Sequence, residues 1–330
     1  TQRNSFEWPG GKQIAFYIAV NIEHFPYGEG GGIDLDRETK PWSQRSWLWR
    51  EYGNRVGGWR LADLFDDLEM NVGVIVNAAN YSHTPELIER YRMRGDEMIG
   101  HGISNGTARP IDMSFREETK MVTDVTAIMS KADGKQPTGW LSPYLTPSPK
   151  TPDILCAAGY KYLLDWGVCD EQPFWMSTEN GQILIIPYPI ELNDQPAIVG
   201  RRVSAEEYAN MIIDQFDVLM ELKNSQPVVF PISLHSFIVG QPFRQKHLKR
   251  ALRLSLHLYF LSLFRACRLK LYSASARNLL KQPTSSTCSK RLEWCRTSTY
   301  PKVHWRVLRG SFSYTRLLLG SLTSPLARDA

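Results

Sequence analysis

Between residues 14 and 235, short β-rich runs alternate with amphipathic stretches, and this alternation restricts the fold more than any other feature of the chain. The runs are Ile14–Asn21, Val72–Ala78, Glu97–His101, Thr138–Leu141, Tyr162–Asp165, Ile183–Pro187 and Val228–His235. Between them, Trp59–Leu68, Pro85–Arg94, Ser114–Lys131, Pro152–Ala158 and Ala205–Lys223 place apolar residues three and four apart, the helical period. Strand and helix in strict succession predict parallel strands joined by crossover helices. Seven such units suit an α/β fold of the distorted (β/α) barrel type, with about seven parallel strands, better than a Rossmann sheet. The run Gly28-Glu-Gly-Gly-Gly32 lies in a long polar loop and precedes no helix, so it is not a nucleotide cradle.

The 330 residues, 42% of them hydrophobic, are enough to fill one large core. The formal charge of +5 conceals two segments. Residues 1–250 hold 25 Lys and Arg against 32 Asp and Glu, net −7, whereas residues 251–330 hold 14 against 2, net +12. We therefore divide the chain into a barrel domain, 1–250, and a basic, atypical C-terminal tail, 251–330. The tail is rich in Leu, Ser and Arg, and reads as out-of-frame or otherwise unselected sequence, poorly ordered. A basic arm for a polyanion is the other reading. Without aromatic platforms or a recognition motif, the tail argues against a nucleic-acid partner.

No apolar run reaches the ~18 residues of a membrane span, and the first residues lack the apolar stretch of a signal peptide, so a cytoplasmic location with no membrane partner is expected. Five cysteines without a C-x-x-C pair suggest reduced thiols.

Polar residues gather where the predicted strands end: Asn21, Glu23 and His24 after the first, Asn77 after the second, His101 and Asn105 after the third. Asp165 and Trp166 follow the fifth, Glu191, Asn193 and Asp194 the sixth, and His235 closes the last. In a β/α barrel that rim carries the chemistry. Glu23 and His235 are the catalytic candidates, since a carboxylate and an imidazole supply a base and an acid near neutral pH. A histidine closing an apolar strand is also a common core residue bonded to backbone.

Glu23 and His24 are adjacent, so an extended strand would point them opposite ways unless its end bends. The segment Trp42–Trp59, with four tryptophans and arginines at 45, 50 and 55, reads as a loop packed on the rim or a lid over a planar substrate, with Arg50 or Arg55 as donor. Candidate substrate contacts are His24, Arg55, Asn77, His101, Asn105, Trp140, Tyr144, Asp165 and Trp166. Asp165 and Asp194 are alternatively partners that orient a histidine, or ordinary turn residues. For a metal, His24 and His101 alone would bind weakly, and an Asn amide at 105 is a poor third ligand. No cofactor is expected; a weakly bound divalent metal on His24 and His101 is the remaining option.

The stretches EYGNRVGGWRL, GHGISNG, GWLSPYLTPSPK, YPIELND and LHSFIVGQPFR, in this order and spacing, resemble the polysaccharide deacetylase (NodB-homology) family over residues 5–250. Within it they are similar to the branch of cofactor-independent allantoinases and cyclic imide hydrolases. The resemblance implies a barrel of seven or so parallel strands. It places Glu23 at the family's base, His24 where a carboxylate metal ligand belongs, and His101 at the first histidine of an H-x-x-x-H motif whose second is Asn105. Leu141 stands where an arginine would orient the base, and His235 at the general acid.

Loss of a ligand and of that arginine argues against zinc-assisted deacetylation. The resemblance favours metal-independent opening of a cyclic amide of imide, hydantoin or allantoin type. A metal-dependent deacetylase of N-acetylated sugars, and a degenerate scaffold or polyanion-binding protein, are the alternatives. A small-molecule substrate and a homo-oligomeric state are expected.

Overall fold

The computed structural model describes residues 6, 8, 12, 14–29, 43–106, 108–222 and 227–260, with the side chains of 222 and 255–260 left out. Eight strands form one curled sheet: β1 (Ile14–Ile22), β2 (Gly73–Val76), β3 (Glu97–Gly100), β4 (Gly139–Trp140), β5 (Tyr162–Leu163), β6 (Phe174–Thr178), β7 (Gly181–Ile185) and β8 (Val228–His235). Their order is β6-β7-β5-β4-β3-β2-β1-β8, parallel throughout except for the β6–β7 hairpin. All seven predicted strands are present, and β6 is the addition. The expected α/β barrel-like architecture is what the chain adopts.

The segment after β7 reaches the far edge of the sheet through a short bridge, Asn193 with β8 Ser233, while Val168 and Tyr188 extend the pairing of β5 and β7. The Tyr188 hydroxyl meets Ser233 Oγ at 2.7 Å. The helices are α1 (Gln44–Tyr52), α2 (Gly58–Asp67), α3 (Asn80–His83), α4 (Pro85–Met93), α5 (Phe115–Asp133), α6 (Thr151–Ala157), α7 (Ala205–Leu222), α8 (Ser236–Val239) and α9 (Pro242–Phe260). Ser114 and Glu117 close a capping box at the start of α5, which fixes where that crossover helix begins.

Because side chains alternate across a strand, each strand feeds two cores. Ile18, Val20 and Ile22 of β1, Val74 and Val76 of β2, and Phe230, Ile232 and Leu234 of β8 face the helices in one large apolar cluster. Ala19, Ile75, Ile99, Leu141, Tyr162, Leu184 and Tyr188 fill the interior of the curl. The register aligns Asn21 with Ile75 and His235, and Ile75 with Ile99. Two residues further on, the inward-facing set is therefore Glu23, Asn77 and His101.

Two sequence expectations are corrected. The stretch from Ser43 is not a loop: α1 continues into a π-helical turn, Gly53–Gly57, and then α2, one nearly unbroken helix along the rim. Its glycines explain the close packing, since a Cβ on Gly57 would lie 2.0 Å from the Ser236 carbonyl oxygen and one on Gly53 2.5 Å from Ser236 Oγ. The proposed boundary at residue 250 falls inside α9, where Leu248, Ala251 and Leu252 are buried against the core and the helix packs on α7. The rest of the tail, 261–330, lies outside the described residues, as do Cys267, Cys288 and Cys295.

Burial of Leu252 at 0% exposure makes residues beyond 250 structural. Leu252→Ala is expected to cost about 2–5 kcal/mol, the usual loss for a truncated core leucine, read as a lower urea midpoint with unchanged slope.

Candidate active site

β1 ends with its inward position occupied by Glu23, which is only 7% exposed. An isolated carboxylate at that depth is costly unless its charge is matched. Asn105 Nδ2 donates to Glu23 Oε1 at 2.7 Å, and His101 Nε2 lies 3.4 Å from the same oxygen. The other oxygen, Oε2, has no hydrogen-bond partner among the described residues and faces His235 Nε2 at 3.9 Å. Burial raises the pKa of Glu23, but the charge of His235, the hydrogen bond with His101 and the charges of His101 and Arg50 outweigh it and hold the carboxyl below its ordinary 4.5. The carboxylate form is thereby the stable one, with one oxygen bonded in place and the other uncommitted.

His235 is oriented from behind. Asp194 Oδ1 is 2.6 Å from its Nδ1, and Asp194 Oδ2 accepts from its backbone N–H at 2.8 Å. With Nδ1 donating to a carboxylate, Nε2 is left pointing at Glu23. Burial alone would lower the pKa of His235, yet the charges of Asp194 and Glu23 raise it above 6.5. At His101 the Nδ1 side faces the Leu141 carbonyl at 2.7 Å. A carbonyl only accepts, so Nδ1 carries the hydrogen, and Nε2 is the ring nitrogen turned toward Glu23.

Residues further out fix these groups. Asn77 Oδ1 accepts from the His24 N–H at 2.8 Å, and its Nδ2 donates to Asn105 Oδ1 at 3.0 Å and to the His101 carbonyl. Asn54 Nδ2 donates to the Glu23 carbonyl at 2.9 Å. Tyr144, with φ of +59°, donates from its hydroxyl toward the carbonyls of Asn105 (2.6 Å) and Gly106 (2.8 Å). A left-handed tyrosine costs of order 1–3 kcal/mol, offset here by the anchored loop.

The structure brings Glu23, His101, Asn105 and His235 into one cluster. Asn77 and Tyr144 belong to its frame. Asp165 is also framing: both of its oxygens accept from the Ser142 N–H, at 2.9 and 3.0 Å, and burial pushes its pKa up to about 7.

Four expected substrate contacts lie elsewhere: Trp140, Trp166, Arg55 and His24. Trp140 is fully buried on the helix-facing side, edge-on to Tyr160 and so close to Gly100 that a Cβ there would sit 2.7 Å from the indole. It is one position out of phase with the inward Leu141. Trp166 is 43% exposed in the turn after β5. Arg55 is exposed, bonding the carbonyls of Glu51 and Leu48 on its own helix, whereas buried Arg50, 4.2 Å over the Phe25 ring, is the arginine whose charge reaches Glu23.

His24 and His101 do not form a pair. His24 stands beside His83 instead, its ring 4.4 Å from that of His83. Burial, then the charge of His83, lowers the His24 pKa, which Glu51 opposes. The family's metal position does not fit a metal here. Its first ligand has turned to another partner, the Asn105 amide nitrogen is spent on Glu23, and His101 faces that carboxylate directly. Among the described residues the one group of three donors within metal-binding reach is His24, Glu51 and His83.

Sequence reasoning left Asp194 undecided between turn residue and orienting partner, and it omitted Asn54, Glu51 and His83. The bridge from Asn193 to Ser233, which places Asp194 beside His235, is a contact between distant segments that the sequence pattern does not show.

Replacing Asp194 by Asn removes the larger charge that favours the His235 imidazolium. In a histidine NMR titration of Asp194→Asn, the His235 transition should move to lower pH. The same raised pKa stabilises the fold below pH 6.5 and loses that contribution as pH rises through the folded value. The variant's stability deficit should therefore shrink toward alkaline pH.

No established family profile matches the chain. A Schizosaccharomyces pombe protein named as a polysaccharide deacetylase is 23% identical over 283 residues, 74% of this chain and 84% of that protein. Among solved structures, a probable polysaccharide deacetylase of Pseudomonas aeruginosa PAO1 superimposes with a TM-score of 0.74 at 24% identity, covering 83% of this chain and 95% of the other. Puue allantoinase does so at 0.72 and 21%, covering 83% and 93%. The chain has the polysaccharide deacetylase (NodB-homology) fold, and the resemblance to that family, with an allantoinase among its structural neighbours, runs through both its sequence and its structure.

Proposed function

We propose that the chain is a hydrolase of carbon–nitrogen bonds that opens a cyclic amide of imide, hydantoin or allantoin type by acid–base chemistry, without a metal at the family position. The observation that carries this reading is the unpartnered Glu23 Oε2 facing the Asp194-oriented Nε2 of His235 at 3.9 Å. Likeness to an allantoinase and to deacetylases supports the bond class.

In this mechanism Glu23 takes a proton from water as the oxygen bonds to a ring carbonyl carbon. The protonated His235 then gives its Nε2 proton to the ring nitrogen as the C–N bond breaks. The product is a linear amide bearing a new carboxylic acid, and the proton on Glu23 passes back to His235 to restore both groups. A strained or electron-poor ring needs less electrophilic help than an acetamide, and the buried pair supplies positioning in addition to proton transfer. His101, 3.4 Å from the carboxylate, helps keep Glu23 ionised until water arrives. Arg50 and Asn105 contribute the remaining positive potential and orientation.

Metal-dependent deacetylation of N-acetylated sugars is the second reading, favoured by the names of two relatives. The donor set at His101 and Asn105 counts against it. A homo-oligomeric state and a cytoplasmic location belong to the proposal. The free thiols Cys156 and Cys169 are consistent with a reducing compartment, and no helix among the described residues is long and apolar enough to cross a membrane.

A hydrolysis screen of succinimide, maleimide, hydantoin, dihydrouracil and allantoin, with and without chelator, tests the assignment. Turnover of a cyclic amide that survives chelation is the expected outcome; turnover only of acetylated sugars, lost on chelation, sinks it. Glu23→Gln and His235→Ala should each lower kcat/KM by about 10²–10⁴-fold, the usual contribution of a general acid or base. The wild-type profile should be a bell, its acid limb below 4.5 from Glu23 and its alkaline limb above 6.5 from His235.

A further inference from the structure

Directly behind the active-site carboxylate a second cluster gathers on the outward side of the strand end. His24 follows β1, Glu51 comes from α1 and His83 closes α3. One ligand atom from each lies within 4.8 Å of the others. We propose that His24, Glu51 and His83 form a binding site for a divalent transition metal of the zinc class, distinct from the acid–base site and sharing only His24 with the family's metal motif.

Two imidazoles and a carboxylate are a zinc donor set, and such a set with one open position takes a water or another small ligand. Ligand atoms about 2.0–2.1 Å from a tetrahedral zinc are roughly 3.4 Å apart. His83 Nε2 and Glu51 Oε2, at 3.0 Å, already span such an edge. The His24 ring stands beside that of His83, centroids 4.4 Å apart and planes inclined by 57°. An ion pair between Glu51 and His83 accounts for two of the three groups. It does not account for His24, whose Nδ1 is shielded from solvent and has no hydrogen-bond partner among the described residues.

The surroundings suit such a site. Glu51 is buried, and its other oxygen, Oε1, accepts from Asn54 Nδ2 at 3.2 Å, so the carboxylate is held by an outer partner of the kind that orients metal ligands. The His83 side chain is 36% exposed, which gives an ion a way in. Imidazole ligands favour zinc, cobalt, nickel or copper over magnesium or calcium. Asn54 also donates to the Glu23 carbonyl, which connects this site to the active one through a single side chain. The site stands independently of the reaction proposed above, and its test does not use activity.

Metal-stripped full-length protein is titrated with Zn²⁺ by calorimetry and with Co²⁺ by visible absorption. One equivalent should bind, with the intense visible bands of tetrahedral cobalt. His83→Ala and Glu51→Gln should each weaken binding by more than the roughly 10–100-fold that loss of even an outer partner costs, with circular dichroism unchanged. His101→Gln should leave the affinity as in wild type. His83→Gln, which keeps a polar side chain of similar size, repeats the measurement should the alanine variant fold poorly. Absence of binding to the wild-type chain overturns the proposal, as does wild-type affinity in the His83 variants or loss of binding in His101→Gln.

Discussion

An ionised carboxylate held below the surface at the end of the first strand is the constraint around which the site is built. A buried ion costs several kcal/mol after all relaxation, so Glu23 is tolerable only with the partners that surround it. Asn105 fixes one oxygen, His101 stands 3.4 Å from it, and His235 supplies opposite charge without contact. The arrangement satisfies the charge while leaving Oε2 unbonded, and an unbonded oxygen is what a base needs. Full satisfaction would stabilise the fold further and leave nothing to accept a proton.

The partners are placed by layers of hydrogen bonds behind them, each drawn from a different stretch of chain. Asp194 reaches His235 from the segment that bridges to β8, Asn77 joins His24, His101 and Asn105, and Tyr144 holds the Asn105 loop at the cost of a left-handed backbone. The glycine-rich helix on the rim lies near enough to α8 for Asn54 to reach the Glu23 carbonyl. A network with so few free donors is rigid, and rigidity is what preorganised acid–base catalysis requires.

Much of this was legible from periodicity. The seven strands, their ends and the inward placing of Glu23, His101 and His235 follow from a period of two running into polar residues. What escaped depends on contacts between distant elements. Trp140 lies one position out of phase with Leu141, and a two-residue strand offers too little pattern to show it. The helix from Gln44 has almost no amphipathic signal, because Arg50, Glu51 and Asn54 are buried on it for reasons of charge. β6 pairs only with β7 and is half-buried, so Phe174–Thr178 shows no alternation. The turn residues Asn180-Gly181 between two short apolar runs were the one available sign of that hairpin.

The same alternation explains how one dipeptide serves two environments. Glu23 and His24 are separated by a single peptide bond, yet extended backbone sends the first into the curl of the sheet and the second toward α1 and α3. A carboxylate in place of His24 would face Glu51 and add like charge to a buried acid, which neither burial nor His83 alone would offset. An imidazole there faces Glu51 without repulsion, and its outward direction takes it out of reach of His101. The identity of residue 24 thus decides on which side of the strand end this imidazole is available, and in the proposed reading it leaves the work at the inner side to Glu23 and His235.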